Sequence, residues 1–252
     1  MFAINTLVFL LSTPYISCLS VQESPDVGII GGHDITIEKV PFIASLRLDG
    51  KIHFCGCSII DEQFVLSAAH CIVPNREYKV LVGTSKLHQG GSLYDVEKIL
   101  VHPKYNNRTY DYDISILKLK EPLVFSTKVN KIDLFDNSIK MKSGTILKTV
   151  GWGYTEPKGN ISETLRVVQL PKVSRAPCQR AFGNKIEITR RMICAGGEGK
   201  DTCKGDSGGP LIWKTAQVGI TSFGSNCGSL PGVYTNVFKM AHWITRTIAE
   251  NL

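Results

Sequence analysis

No lysine or arginine precedes Lys39. The opening of the chain therefore lacks the positive n-region usual in a secretory signal. Phe2 to Leu11 is nonetheless almost wholly apolar, and small residues follow from Ser17 to Ser20. That run is too short to span a bilayer, and no later segment reaches the ~20 apolar residues a membrane helix needs. The expectation is a signal peptide over 1–20, a short propeptide over 21–28, a secreted extracellular product and no membrane anchor. Also absent is any run of five basic residues, although 29 Lys and Arg outnumber 22 Asp and Glu and set the formal charge at +7. Loss of residues 1–28 removes Glu23, Asp26 and no cation, so the charge would rise from +7 to +9. Cations scattered in this way describe a soluble basic surface and argue against nucleic acid as a partner. The histidines lack metal-ligand spacing, and neither internal repeat nor low-complexity stretch is present.

Cysteine, by contrast, is plentiful. Of eight, Cys18 falls in the expected signal, which leaves seven and points to an oxidising compartment. Short β-branched or alternating runs dominate the rest: Phe42–Leu48, Phe64–Ser67, Lys79–Val82, Ile114–Leu119, Gly144–Val150, Ala216–Ser222 and Gly232–Asn236. Gly, Pro, Asn and Asp clusters separate them, as in an all-β sandwich or barrel. Only the tail, Val237–Leu252, carries a helical pattern, with Phe238, Ala241, Ile244 and Ile248 at 3–4-residue spacing.

Three motifs carry chemistry. Asp201-Thr-Cys-Lys-Gly-Asp-Ser-Gly-Gly-Pro210 sets Ser207 in a glycine turn. A serine hydroxyl is a poor nucleophile until a base takes its proton, and Leu66-Ser-Ala-Ala-His-Cys71 offers His70. Tyr110-Asp-Tyr-Asp-Ile-Ser-Ile-Leu-Lys-Leu119 places Asp113 beside an apolar strand, where a carboxylate could hold the imidazole in one tautomer. Singly, each has an ordinary structural explanation; jointly, in the order His, Asp, Ser, they match the worked triad template of the chymotrypsin-like proteases. From Ile29 onward the chain resembles an S1-family, trypsin-like serine protease.

The resemblance implies two six-stranded antiparallel barrels with a C-terminal helix and a site in the cleft between them. It implies catalytic roles for His70, Asp113 and Ser207, with an oxyanion hole built from the amides of Gly205 and Ser207. Asp201 would form the floor of the specificity pocket and select Arg or Lys before the scissile bond, with Gly224 and Gly232 as its walls. Disulfides Cys55–Cys71, Cys178–Cys194 and Cys203–Cys227 are implied, leaving Cys57 as a buried, inert thiol or, alternatively, an intermolecular bridge. Two residues depart from a digestive trypsin: Phe223 stands for the usual tryptophan and Lys204 for the usual glutamine. Tyr110 and Phe182 are expected to shape neighbouring subsites. The segment Gly83–Gly91 resembles the family's calcium loop but holds no acidic residue, so neither calcium nor any other metal or cofactor is expected.

Ile29-Ile-Gly-Gly32 matches the N-terminus that this family exposes on activation, with the freed ammonium of Ile29 pairing with Asp206. The residue before it is Gly28, so an Arg- or Lys-specific enzyme could not make that cut itself. A protease of other specificity, an unusual maturation, or a zymogen-like homologue acting as a binding protein are the alternatives. Asn107-Arg-Thr109 and Asn160-Ile-Ser162 are glycosylation sequons. Expected partners are protein or peptide substrates with Arg or Lys at the cleavage site and protein protease inhibitors, met by a monomer.

Overall fold

Alternation of apolar and polar residues in short runs, broken by turn residues, can bury an apolar face only if strands pair and the sheet closes. A computed structural model describes residues 29, 32–136, 141–155, 160–197, 202–224 and 229–252. After β1 (His33–Asp34) come β2 (Ile43–Leu48), β3 (Ile52–Ile59), β4 (Phe64–Ser67), β5 (Tyr78–Val82), β6 (Ser92–Val101) and β7 (Ser115–Leu119). These six, β2 to β7, close an antiparallel barrel in the order β2-β3-β4-β7-β6-β5. Leu46, Phe64, Leu66, Val80 and Ile116 are buried in its core. After β8 (Asp133–Leu134), the strands β9 (Ile146–Gly151), β10 (Arg166–Val173), β11 (Met192–Ala195), β12 (Pro210–Trp213), β13 (Ala216–Phe223) and β14 (Gly232–Asn236) follow. They form a second antiparallel ring, β9-β10-β11-β14-β13-β12, closed by the β9–β10 pairing. β1 adds to β10, and β8 runs parallel to β13. The expected fold of two six-stranded barrels is the observed one.

Polar bonds knit the two barrels where their faces meet. Ser58 Oγ of β3 donates to Gln217 Oε1 of β13 at 2.7 Å, and both residues are buried. The backbone amide of Gly56 donates to the carbonyl of Ser207 at 2.7 Å, so the serine turn is fastened to the opposite barrel.

The helices correct two expectations. A second helix, α1 (Arg175–Phe182), exists where no helical pattern was read. It is short and polar, with Cys178 its one buried residue, so no apolar stripe announces it. Pro177 sits in its first turn, where a missing N–H costs nothing, and the Cys178–Cys194 disulfide pins it to β11. The tail helix α2 (Val237–Ala249) buries Val237, Met240, Ile244 and Thr247, a stripe displaced from the expected Phe238 and Ala241. Val237, Met240 and Ile244 join the core of the first barrel, so the helix turns that face toward it. Asn236 caps it, its side-chain oxygen accepting from the Lys239 amide. Among the described residues no helix is long and apolar enough to cross a membrane.

Candidate active site

His70 lies on a single 3-10 turn, Ala69–Cys71, that follows β4, and Asp113 lies just before β7. β4 and β7 are paired, Ser67 opposite Ser115, which brings the two segments together although 43 residues separate them. Asp113 is fully buried, and its carboxylate takes three hydrogen bonds. The His70 amide donates to Oδ1 at 2.9 Å; the His70 ring, through Nδ1, reaches Oδ2 at 2.7 Å; and Ser222 Oγ donates to Oδ2 at 2.5 Å. A carboxylate only accepts, so Nδ1 carries the ring proton of the neutral imidazole and Nε2 keeps its lone pair. Nε2 faces Cys71 Sγ at 3.9 Å, and among the described residues no hydrogen bond joins it to Ser207 Oγ.

The Ser207 turn is packed closely against the His70 side of the cleft. Gly208, at φ +80°, has no room for a side chain: a Cβ there would lie 2.2 Å from Ser67 Oγ and 2.4 Å from the Gly56 carbonyl. The Gly208 amide donates to the Thr221 carbonyl at 2.8 Å and the Asp206 amide to the Cys203 carbonyl at 3.1 Å. The amides of Gly205 and Ser207, by contrast, donate to no protein acceptor among the described residues. Gly205 is held from its other side, its carbonyl 3.0 Å from His53 Nε2. A carbonyl can only accept, so Nε2 of His53 carries the proton and Nδ1 accepts from Ser45 Oγ at 2.8 Å. Burial pushes the His53 imidazole down to about 4, which keeps it neutral at pH 7.

Asp206 is buried beneath this turn. Its Oδ1 accepts from the Gly153 amide at 2.9 Å and its Oδ2 from the Cys203 amide at 3.0 Å. Burial raises the carboxyl to about 6, against the two amides that favour its charged form. Among the described residues it forms no ion pair with a side-chain cation. Ile29 is fully buried in the second barrel's core, beside Leu147, Val168 and Tyr234.

Of the expected specificity residues, Asp201 lies outside the described residues, as does Cys227. Gly232 opens β14 opposite Ala195 of β11, and Gly224 is exposed just beyond β13. Phe223 ends β13 and heads a chain of aromatic rings: Phe182 at 5.7 Å and Tyr110 at 5.2 Å from it, with Tyr110 in turn 5.8 Å from His70. The Lys204 side chain is exposed, and its carbonyl is anchored by the Tyr154 amide at 2.7 Å. Cys55 is bonded to Cys71 and Cys178 to Cys194, with S–S lengths of 2.01 and 1.99 Å. Cys203 is also in a disulfide. Cys57 is a free, buried thiol on β3, and burial raises its pKa well above the ordinary thiol range.

The sequence profile of the family described as Trypsin matches residues 29–244. The chain belongs to the trypsin family. It is similar to Trypsin 5G1 of Aedes aegypti, at 39% identity over 86% of this chain and 83% of the relative. A vitellin-degrading protease of Bombyx mori is 38% identical over 89% of this chain and 87% of its own length. A trypsin of Phaedon cochleariae is 37% identical over 96% of this chain and 95% of its own length. As a trypsin-family member the protein is a serine protease.

Three residues that support this trypsin-family site escaped the sequence reading. Ser222 and Thr235, 109 and 122 residues beyond Asp113, bond its carboxylate and its carbonyl. His53, 152 residues before Gly205, fixes that peptide. No local motif marks any of them, because each reaches the site only through barrel closure and the packing of one barrel on the other.

Proposed function

We propose that the protein is a secreted endopeptidase that cleaves after Arg or Lys through an acyl-enzyme, with His70, Asp113 and Ser207 as its triad. The observation that supports this best is the buried Asp113 carboxylate bonded to His70 Nδ1 at 2.7 Å, which leaves Nε2 free to accept a proton. Ser207 Oγ would attack the scissile carbonyl while Nε2 takes its proton, then returns it to the leaving amine. The oxygen anion that develops would be met by the amides of Gly205 and Ser207, which have no acceptor among the described residues. Asp113 stays ionised throughout and stabilises the imidazolium. Asp201 supplies the charge that selects a basic residue, and Gly224 and Gly232 leave space for its long side chain. Exposed Lys204, on the rim, favours acidic residues just after the scissile bond and disfavours basic ones.

The activation reading rests on Asp206, a carboxylate whose pKa is raised by burial and which has no side-chain cation beside it among the described residues. Cleavage after Gly28 would place the Ile29 ammonium there and lock the oxyanion turn. Residues 1–20 serve as signal and 21–28 as propeptide, removed by an enzyme of other specificity. Asn107 and Asn160, both exposed, would carry glycans. The mature enzyme acts as a monomer on proteins and is blocked by protein protease inhibitors.

Labelling of the secreted protein with an arginine-directed organophosphonate, read by mass spectrometry, is the test. Stoichiometric modification of Ser207, blocked by Ser207→Ala and accompanied by hydrolysis of an arginine ester, is the expected result. The junction Gly28–Ile29, with no Lys or Arg before it, supports a second reading, an uncleaved zymogen-like binding protein. It predicts intact Gly28–Ile29 on N-terminal sequencing and no labelling.

A further inference from the structure

We propose that the outer face of the second barrel holds a binding site for a long-chain carboxylate of the fatty-acid class, remote in function from the protease site. Three adjacent strands define it. On β9, Lys148 is paired with Gln169 of β10 and with Ile212 of β12, and Val150 is paired with Val167 of β10. The intervening residues Leu147, Val168, Leu170 and Leu211 turn into the barrel core. The chain from His33 to Phe42 lies across this outer face and leaves a cleft of about 450 Å³. That volume falls within the ~300–1,000 Å³ of small-molecule sites.

The chemistry of the cleft is divided. Partly buried Ile35 and Phe42 give it an apolar wall, above Val40, Val150, Val167 and Ile212, which are themselves buried in the core beneath, while Lys39, Lys148 and Lys214 border it and, among the described residues, no carboxylate does. The two acids of the covering segment are already engaged: Asp34 with Arg166 at 2.7 Å, and Glu38 with Lys128 at 3.7 Å. Lys214 lies over the Trp213 ring at 4.9 Å. Among the described residues the ammonium groups of Lys39 and Lys148 have no ion pair and no hydrogen bond. A peptide could not add here as a strand, because β9 is paired on both sides by β10 and β12. Recognition therefore falls to side chains: an unbranched apolar tail against Ile35 and Phe42, and one anionic head against Lys148 and Lys39.

Calorimetric titration of the purified protein with sodium dodecanoate, below its micellar concentration, tests this. Saturable binding at one site is expected, weakened at least tenfold in Lys148→Glu and in Lys39→Glu. Shortening the tail to decanoate removes two methylenes and should weaken binding on the order of tenfold. Both lysines are exposed, so each variant should keep the near-UV circular dichroism and the arginine-ester hydrolysis of the parent. Equal affinity for dodecanol would overturn the proposal, as would binding unchanged in both charge-reversal variants. So would failure to bind dodecanoate, including the case in which only an acidic peptide binds.

Discussion

At the scale of the residue, Asp113, His53 and Asp206 are each defined by burial and by what is offered in return for lost water. Asp113 keeps three donors, so removing one should weaken the site without abolishing it. Ser222→Ala costs one hydrogen bond to a buried charge, ~1.5–3 kcal/mol. A drop in kcat of about tenfold or more, with little change in KM for an arginine ester, is the expected outcome. His53 and Asp206 are coupled to pH with opposite signs. The imidazole of His53 is lowered to about 4, so its stabilising contribution is complete above pH ~6.5 and is lost as pH falls toward 4. The Asp206 carboxyl, raised to about 6 in the uncleaved chain, gives a contribution that is complete below pH ~3.8 and is lost as pH rises through 6. Each is on the order of 3 kcal/mol, so they largely cancel. Urea unfolding of uncleaved Ser207→Ala protein should show a nearly flat profile from pH 4 to 6.5. Replacing Asp206 by Asn should unmask a rise in stability with pH over that range, the slope left by His53.

At the scale of the element, the serine turn depends on glycines next to it as well as on glycines within it. Gly153, in the segment after β9, donates its amide to Asp206, and a Cβ there would lie 2.2 Å from Oδ2. Gly153→Ala must displace the carboxylate and with it the Cys203–Ser207 backbone. A stability loss of ~1–3 kcal/mol is expected from overpacking alone. Because the turn carries both amides that would meet the oxyanion, turnover should fall further than stability. An active-site titration on folded variant protein separates the two effects. The strands that were legible in the sequence, such as Phe64–Ser67 and Gly232–Asn236, share a cause: β-branched or aromatic residues between clear turn signals. The helix Arg175–Phe182 was not legible, since a disulfide rather than an apolar stripe holds it in place.

At the scale of the whole molecule, two barrels meet so that a chain of polar contacts crosses the cleft between them. In the mature enzyme of the proposed scheme, the Ile29 ammonium pairs with Asp206, and this couples the new chain end to the oxyanion turn. An α-amino group has a reference pKa near ~7.7–8.0, raised when it is paired. The pairing therefore stabilises the active form below that value and fades as pH rises through the raised one. Activity should be lost reversibly in alkali, and a kcat that stays level well past pH 10 would rule the coupling out. Asp206→Asn should leave mature protein folded but without ester hydrolysis.

Residue types and local spacing were sufficient, by themselves, to indicate an all-β chain and the three segments that carry His70, Asp113 and Ser207. These are properties of short stretches, and short stretches are what a sequence displays. Tertiary structure alone decided which nitrogen of His70 faces Asp113, that Ser222 and Thr235 support that carboxylate, and that His53 orients the Gly205 peptide. It also decided that three lysines and an apolar wall meet on the back of one barrel. Each of these depends on strand register and barrel closure, which bring residues as far as 159 positions apart to within a hydrogen bond.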